Sequence, residues 1–362
     1  MDTKPIFVTQ PSLAPLETFT ASLAEIWRTG IMTHNGPFLQ RLEGELAACL
    51  GVPDVVCVAN GTLAMQLALR ALDLRGEIIT TPFSFIATAS SIVWESCTPV
   101  FADIDPDTWN LDPASAAAHV TPRTVGLLPV HVFSAPCDIA AIDALARAHR
   151  LRVVYDAAHA MAVNIGGRSI MACGDIACTS FHATKLFNTC EGGACIAMDP
   201  AVTRRLRRLR FFGFDESKEV VDEGTNAKMT EIHAALGLAN LPEMPAVLAD
   251  RREKYALYQR LLAGIDGIRF QRFDPASYNF SYMPVLFDTE DRLLRVLKRL
   301  NAANIWPRRY FHPSLSHIPV LGSKTPTPVA DDIARRIACL PLYRSLTPAD
   351  IERICGLLLR VA

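Results

Sequence analysis

Several features that would settle a protein's class are missing from this sequence. None of its ten cysteines forms a CxxC pair, so a zinc site has little support. No charge of one sign dominates, with 36 Lys and Arg against 37 Asp and Glu. That balance gives nucleic acid no electrostatic footprint, and a near-neutral surface is compatible with self-association. Long apolar runs are missing as well. The longest uncharged stretch, roughly 78–94, is broken by Pro82 and several Ser and Thr, which makes it a poor membrane span. The opening MDTKPIFVTQ has no basic-then-apolar pattern, and no internal repeat or low-complexity tract is found. The expectation is a reduced, cytoplasmic protein with no metal, no nucleic acid partner and no membrane anchor.

What is present is length and apolar content. The 362 residues, half of them hydrophobic, suffice for two domains and a core that needs no disulfide. Between residue 51 and about 200, short β-rich runs alternate with helical patterns. DVVCVA (54–59), EIITTPF (77–83), TPVFADI (98–104), TVGLLPVHVF (124–133), RVVYDAA (152–158), DIACTSF (175–181) and GACIAMD (193–199) read as strands. TLAMQLALRAL (62–72) and FIATASSIVW (85–94) read as helices. Such alternation predicts an α/β fold, a mostly parallel sheet covered on both faces. The chain beyond about 240 changes character. A charged amphipathic helix (249–265), a strand (278–287), a helix (291–305) and a terminal helix predict a smaller α+β domain. The boundary is placed near LPEMPA, giving units 1–240 and 241–362.

In open sheets of this kind ligands gather at the carboxyl ends of the strands. Asn60-Gly61-Thr62 follows the first strand and opens a helix. A helix N-terminus offers unpaired N–H groups to an anion such as phosphate. By itself the tripeptide reads as simple turn and cap chemistry. Asp156 ends an apolar strand, where a carboxylate needs a partner; alone it reads as a cap or a salt bridge. His159, three residues on, reads alone as structural. Lys185 lies within SFHATKLFNTCEGGACIAM (180–198). Its neighbours Ala183, Leu186 and Phe187 do not have the composition of a solvated loop, and a lysine so placed has a depressed pKa and can act as an amine nucleophile. Together the three sites suggest a phosphorylated heterocycle bearing an aldehyde, such as pyridoxal 5′-phosphate (PLP).

The chain resembles the DegT/DnrJ/EryC1/StrS family of nucleotide-sugar aminotransferases, which are fold-type I PLP enzymes. The resemblance runs from Gly36-Pro37-Phe38 to CLPLYRSLT (339–347) and is carried by segments in one order. They are ANGTLAMQLAL (59–69), PFSFIATASSI (82–92), PVHVFSAPCDI (129–139), VVYDAAHAMA (153–162), SFHATKLFNTCEGGA (180–194) and GTNAKMTEIHAALGLANL (224–241). It implies a three-layer αβα fold with a mostly parallel, seven-stranded sheet. Lys185 would form the imine with the cofactor and carry the proton. Asp156 would pair with the ring nitrogen, and His159 would lie beside the ring. Gly61, Thr62 and Ser180 would hold the phosphate, and Phe85 would stack on the ring. Asn226 would reach the phosphate of a second subunit, which makes the enzyme a homodimer with shared sites.

Within the family, dehydratases carry histidine where aminotransferases carry the lysine, so Lys185 implies transamination. The implied donor is L-glutamate and the acceptor a nucleotide-linked keto sugar. The wording of the lysine loop is similar to members that aminate C4 of dTDP-4-keto-6-deoxyglucose. A C3 aminotransferase or a PLP-dependent sugar dehydratase is the alternative, and a non-catalytic sugar-nucleotide-binding regulator is the rival from another class. Arg308, Arg309 and Tyr310 in WPRRYFHPSL are candidates for the sugar nucleotide; equally, the arginines would serve only to cover the domain junction. The arginines of RRLRRLRFFG (204–213) are expected on a solvated or dimer-facing helix. Phe211, Phe212 and Phe214 beyond it are expected to line or close the site.

Overall fold

The computed structural model describes residues 4–322 and 325–360. A short strand β1 (Ile6–Phe7) is followed by helices α1 (Leu16–Thr29) and α2 (Pro37–Leu50). Then come β2 (Val56–Val58), α3 (Gly61–Ala71), β3 (Glu77–Thr80), α4 (Ile86–Trp94), β4 (Thr98–Phe101), α5 (Pro113–Ala118) and β5 (Thr124–Leu128). Next are α6 (Ile139–His149), β6 (Arg152–Asp156), a hairpin of β7 (Asn164–Ile165) and β8 (Arg168–Ser169), β9 (Ile176–Ser180) and β10 (Gly193–Ala197). Helices α7 (Pro200–Arg210), α8 (Glu231–Asn240) and α9 (Met244–Leu262) lead into the remaining elements. These are β11 (Ile268–Arg269), β12 (Met283–Phe287), α10 (Glu290–Ala302), β13 (Ile305–Trp306), α11 (Pro328–Arg336), β14 (Ile337–Leu340) and α12 (Pro348–Leu359).

Seven strands form the main sheet in the order β2-β10-β9-β6-β5-β3-β4. Strand β10 runs against both neighbours, and the remaining pairs are parallel. Side chains alternate between the faces, as a period of two requires. Val56, Val58, Val154, Ile176, Cys178 and Cys195 join the core under α3 and α7. Cys57, Val153, Tyr155, Ala177, Ala194 and Ile196 join the core under α2, α6 and α8. The strand cysteines therefore act as small hydrophobes, and all ten cysteines are free thiols. This is the three-layer αβα architecture expected above.

The helix ends explain how the layers lock. Asn60 caps α3 by accepting from Leu63 N at 2.9 Å. The N-cap of α2 is Gly36, which has no side chain to offer. Glu231 of α8 supplies the missing acceptor, taking Phe38 N at 2.8 Å and Leu39 N at 3.1 Å. A Cβ on Gly36 would lie 2.6 Å from that carboxylate.

A second sheet, β11-β12-β14, carries α9, α10 and α12. Helix α10 buries Leu293, Val296 and Leu300 at helical spacing, each worth about 1.5–3 kcal/mol of burial. Strand β12 is shorter than the apolar run 278–287 suggests. Phe280 has φ 56, which breaks the run before β12, and Asn279 bonds the carbonyls of His159 and Met161 in the large domain instead. Strand β1 pairs in parallel with β13, so residues 6–7 lie beside residues 305–306.

The arginine-rich helix α7 differs from the expectation of a solvated face. Arg205 binds Asp222 at 3.0 Å and also pairs with Asp73. Arg207 binds Glu43 and Asp54, each at 2.6 Å. Arg210 is buried with Glu43 and donates to the Cys57 carbonyl at 2.8 Å. Much of the cationic run is thus used to pin α7 to the sheet edge. Among the described residues no helix is long and apolar enough to cross a membrane.

Candidate active site

The carboxyl ends of β2, β3, β6 and β9 meet at one edge of the main sheet, where a cavity of about 300 Å³ opens. Asn60, Gly61, Thr62, Phe85, Asp156, His159, Ser180 and Lys185 all line it. Sequence separation hides this assembly, and parallel topology produces it.

The approach of the strand ends is close. A Cβ on Gly61 would lie 2.9 Å from Ser180 Cβ, and one on Gly193 would lie 2.6 Å from the Asn60 carbonyl carbon. Glycine at both positions therefore lets the start of α3 sit against β9 and β10. The first N–H groups of α3, those of Gly61 and Thr62, have no partner inside the helix. They stand beside Ser180 on the cavity wall, a cradle of donors at a positive helix end. Gly61→Ala would force that cradle apart. We expect phosphate-bearing cofactor to bind roughly ten-fold more weakly or worse, measured by reconstitution titration; an unchanged dissociation constant would contradict the cradle.

The lysine loop closes on itself. Phe181 N donates to Gly192 O at 2.8 Å, Ala183 N to Cys190 O at 2.7 Å and Thr189 N to Phe181 O at 2.9 Å. Leu186 and Phe187 are buried in the core and anchor the loop, which carries Lys185 into the cavity. Burial lowers the Lys185 pKa to about 8, against the opposing pull of the Asp156 charge. The neutral amine is thus accessible near physiological pH.

Asp156 is buried at the tip of β6. Thr88 Oγ1 donates to it at 2.7 Å and Ala158 N at 3.1 Å. Burial nevertheless raises its pKa, with Thr88, Ala158 and Lys185 pulling the other way. Such a carboxylate is suited to a cationic N–H partner placed in the cavity. His159 Nδ1 accepts from Phe133 N at 3.2 Å, which puts the ring proton on Nε2. Burial first, and then the Lys185 charge, push its pKa well below the ordinary value. The ring is a neutral, flat wall, parallel within 3° to Phe133 and 4° to Phe311. Phe85 stands 59% exposed where it lines the cavity.

The remaining candidates divide. Tyr310 lines the cavity. Arg309 turns away, bonding Glu290 and the Arg335 carbonyl, each at 2.6 Å. Arg308 bridges through its backbone to Cys339, and neither arginine lines the cavity. Asn226 is exposed and accepts from Lys228 Nζ at 2.5 Å; within one chain it does not reach the cavity. Phe211, Phe212 and Phe214 pack on one another rather than lining it, while Lys228 Nζ lies 4.2 Å from the Phe212 ring centre. Sequence reasoning missed Thr88, hidden in a Ser/Thr-rich helix, and Tyr282, hidden in an apolar run. Both line the cavity.

The sequence profile of the DegT/DnrJ/EryC1/StrS aminotransferase family matches residues 16–359. The chain belongs to this family. It is 39% identical over 361 residues to the dTDP-4-amino-4,6-dideoxy-D-glucose transaminase of Shigella dysenteriae, covering 97% of each chain. To the enzyme of the same name from Escherichia coli it is 38% identical over 372 residues, covering 99% of each. Among solved structures, DesI in the presence of its TDP-sugar product matches with a TM-score of 0.94 and 35% identity, over 99% of this chain and 93% of that one. The family's cofactor is PLP, and the residues present fit it. A donor cradle that a Cβ would fill, a buried carboxylate, a flat aromatic wall and a lysine amine share one cavity.

Proposed function

We propose that this aminotransferase moves an amino group from L-glutamate to C4 of dTDP-4-keto-6-deoxyglucose, giving a dTDP-4-amino-4,6-dideoxy sugar. The observation that carries the reading is Lys185 Nζ sharing one cavity with Asp156 and the Gly61–Thr62 helix start. The sugar follows from the two full-length relatives that bear the name of that transaminase.

Bound PLP supplies a carbonyl that exchanges with amines and a ring that accepts electrons. The chain's residues do the rest. Gly61, Thr62 and Ser180 bind the phosphate, and Phe85 and His159 flank the ring. Asp156 keeps a proton on the ring nitrogen. Lys185 would hold the cofactor covalently and, once released, would take the proton from one carbon and return it to the other, as general base and then general acid. Tyr310 offers an aromatic surface to the sugar nucleotide. The exposed Asn226 serves the phosphate of a second copy, so the working unit is a homodimer, placed in the cytoplasm. The division near residue 241 separates the cofactor-binding unit from the one that bears Tyr310.

The test is a panel of dTDP, GDP and UDP keto sugars with glutamate, read by mass spectrometry. An amino sugar from the dTDP 4-keto substrate is expected. A deoxy sugar formed without any amino donor would replace transamination by dehydration.

A further inference from the structure

We infer that Tyr282 is a positioning residue for Lys185, its phenol hydroxyl holding the lysine amine in place whenever that amine is free of the cofactor. The inference rests on the reading of Lys185 as the cofactor-holding lysine. Lys185 Nζ donates to Tyr282 Oη at 3.4 Å, and the nitrogen lies 6.0 Å from the ring centre. Asp156, His159, His182, Glu191 and Tyr310 also line the cavity. Among the described residues, only Tyr282 hydrogen-bonds the amine.

The hydroxyl is held from several directions. The Tyr282 ring centre lies 4.7 Å from His159, 5.5 Å from Phe133 and 6.0 Å from Tyr310. Its backbone is tied just before it. Asn279 Nδ2 donates to the carbonyls of His159 at 2.7 Å and Met161 at 2.8 Å. Arg251, 1% exposed on α9, donates to the Ser281 carbonyl at 2.8 Å. Arg251 Nε and Nη2 find no hydrogen-bond partner among the described residues. Burying a guanidinium with no carboxylate to pair with it is costly. A contact of that kind, made to the residue before Tyr282, is explained if the segment's position matters.

The chemistry suits a group that meets both protonation states of a lysine. Burial raises the Tyr282 pKa above its ordinary value, so the hydroxyl stays neutral. A neutral hydroxyl accepts from an ammonium and donates to an amine. The amine therefore keeps its direction as it gains and loses the proton. The charge-assisted bond is the stronger of the two, so deleting the hydroxyl lowers the lysine pKa further.

The experiment uses enzyme loaded with pyridoxamine 5′-phosphate, in which Lys185 is free. Acylation of Lys185 is followed from pH 6 to 10 by mass spectrometry of the peptide that carries it. In the unaltered enzyme the midpoint is expected below that of an exposed lysine, the direction in which burial moves Lys185. Tyr282→Phe keeps the ring and is expected to move the midpoint down by about half a unit or more. In the same variant kcat should fall roughly ten-fold, with both KM values nearly unchanged. Coincident profiles and an unchanged kcat would overturn the role of Tyr282. If Tyr282→Phe does not fold, Arg251→Met decides by the same profile. It keeps the hydroxyl but frees its backbone, so a downward shift supports the role and coincidence overturns it. Failure of PLP itself to protect Lys185 from acylation would overturn the assignment of Lys185 instead, a distinct outcome.

Discussion

Lys185→Ala is expected to lower turnover by about 10²–10⁴-fold from the lost proton transfer alone. The expectation follows from position rather than residue type. Lys185 is the lysine that lines the cavity, and the loop that delivers it is anchored by buried Leu186 and Phe187. Among the described residues no other lysine lines that cavity. Two readouts separate chemistry from folding. Borohydride treatment of the PLP-loaded enzyme should leave cofactor on the peptide that contains Lys185, and the variant should show none. The melting temperature should stay close to that of the unaltered protein or rise, because a partly desolvated ammonium has been removed. Full turnover in the variant would defeat the whole assignment of the site.

Glu43→Ala is expected to cost about 3–5 kcal/mol of stability. Glu43 is 4% exposed. It accepts from Cys57 N at 2.9 Å, from Arg207 at 2.6 Å and from Arg210 at 2.5 Å. Removing it strands the Arg210 cation in a buried place, where the uncompensated charge outweighs the lost bonds. Urea denaturation should show a midpoint shift without a change in slope. Adding Arg210→Met should recover part of the loss, because the stranded charge then disappears. A cost below about 1 kcal/mol would mean that water reaches the pair.

Much of this was legible before any coordinates. The main-sheet strands are apolar runs with turn signals between them, and strand and helix periods separate cleanly there. Asp156 is readable because it ends β6, and Lys185 and the Asn60–Thr62 turn because each follows closely on a strand's end. What escaped the sequence is what depends on distance along the chain. The arginines of 204–210 show charge but not where it goes, since Glu43 lies more than 150 positions away. The run 278–287 reads as one strand, and nothing local shows that residues 278–282 leave it to bring Tyr282 to the lysine. Arg308 and Arg309 look alike in sequence to a sugar-diphosphate clamp, yet Arg309 is taken by Glu290. Asn226 likewise matches a family position, yet within the chain it meets Lys228 and lies away from the cavity.

The pairing of Ile6 and Phe7 with Ile305 and Trp306 carries a consequence for biosynthesis. Strand β1 finds its partner only after about 300 more residues have been added. At translation speeds of roughly 5–20 residues per second, it waits about 15–60 seconds with its edge unmatched. Its pairing is therefore a late event of maturation, and a nascent chain stalled before residue 305 cannot fasten β1.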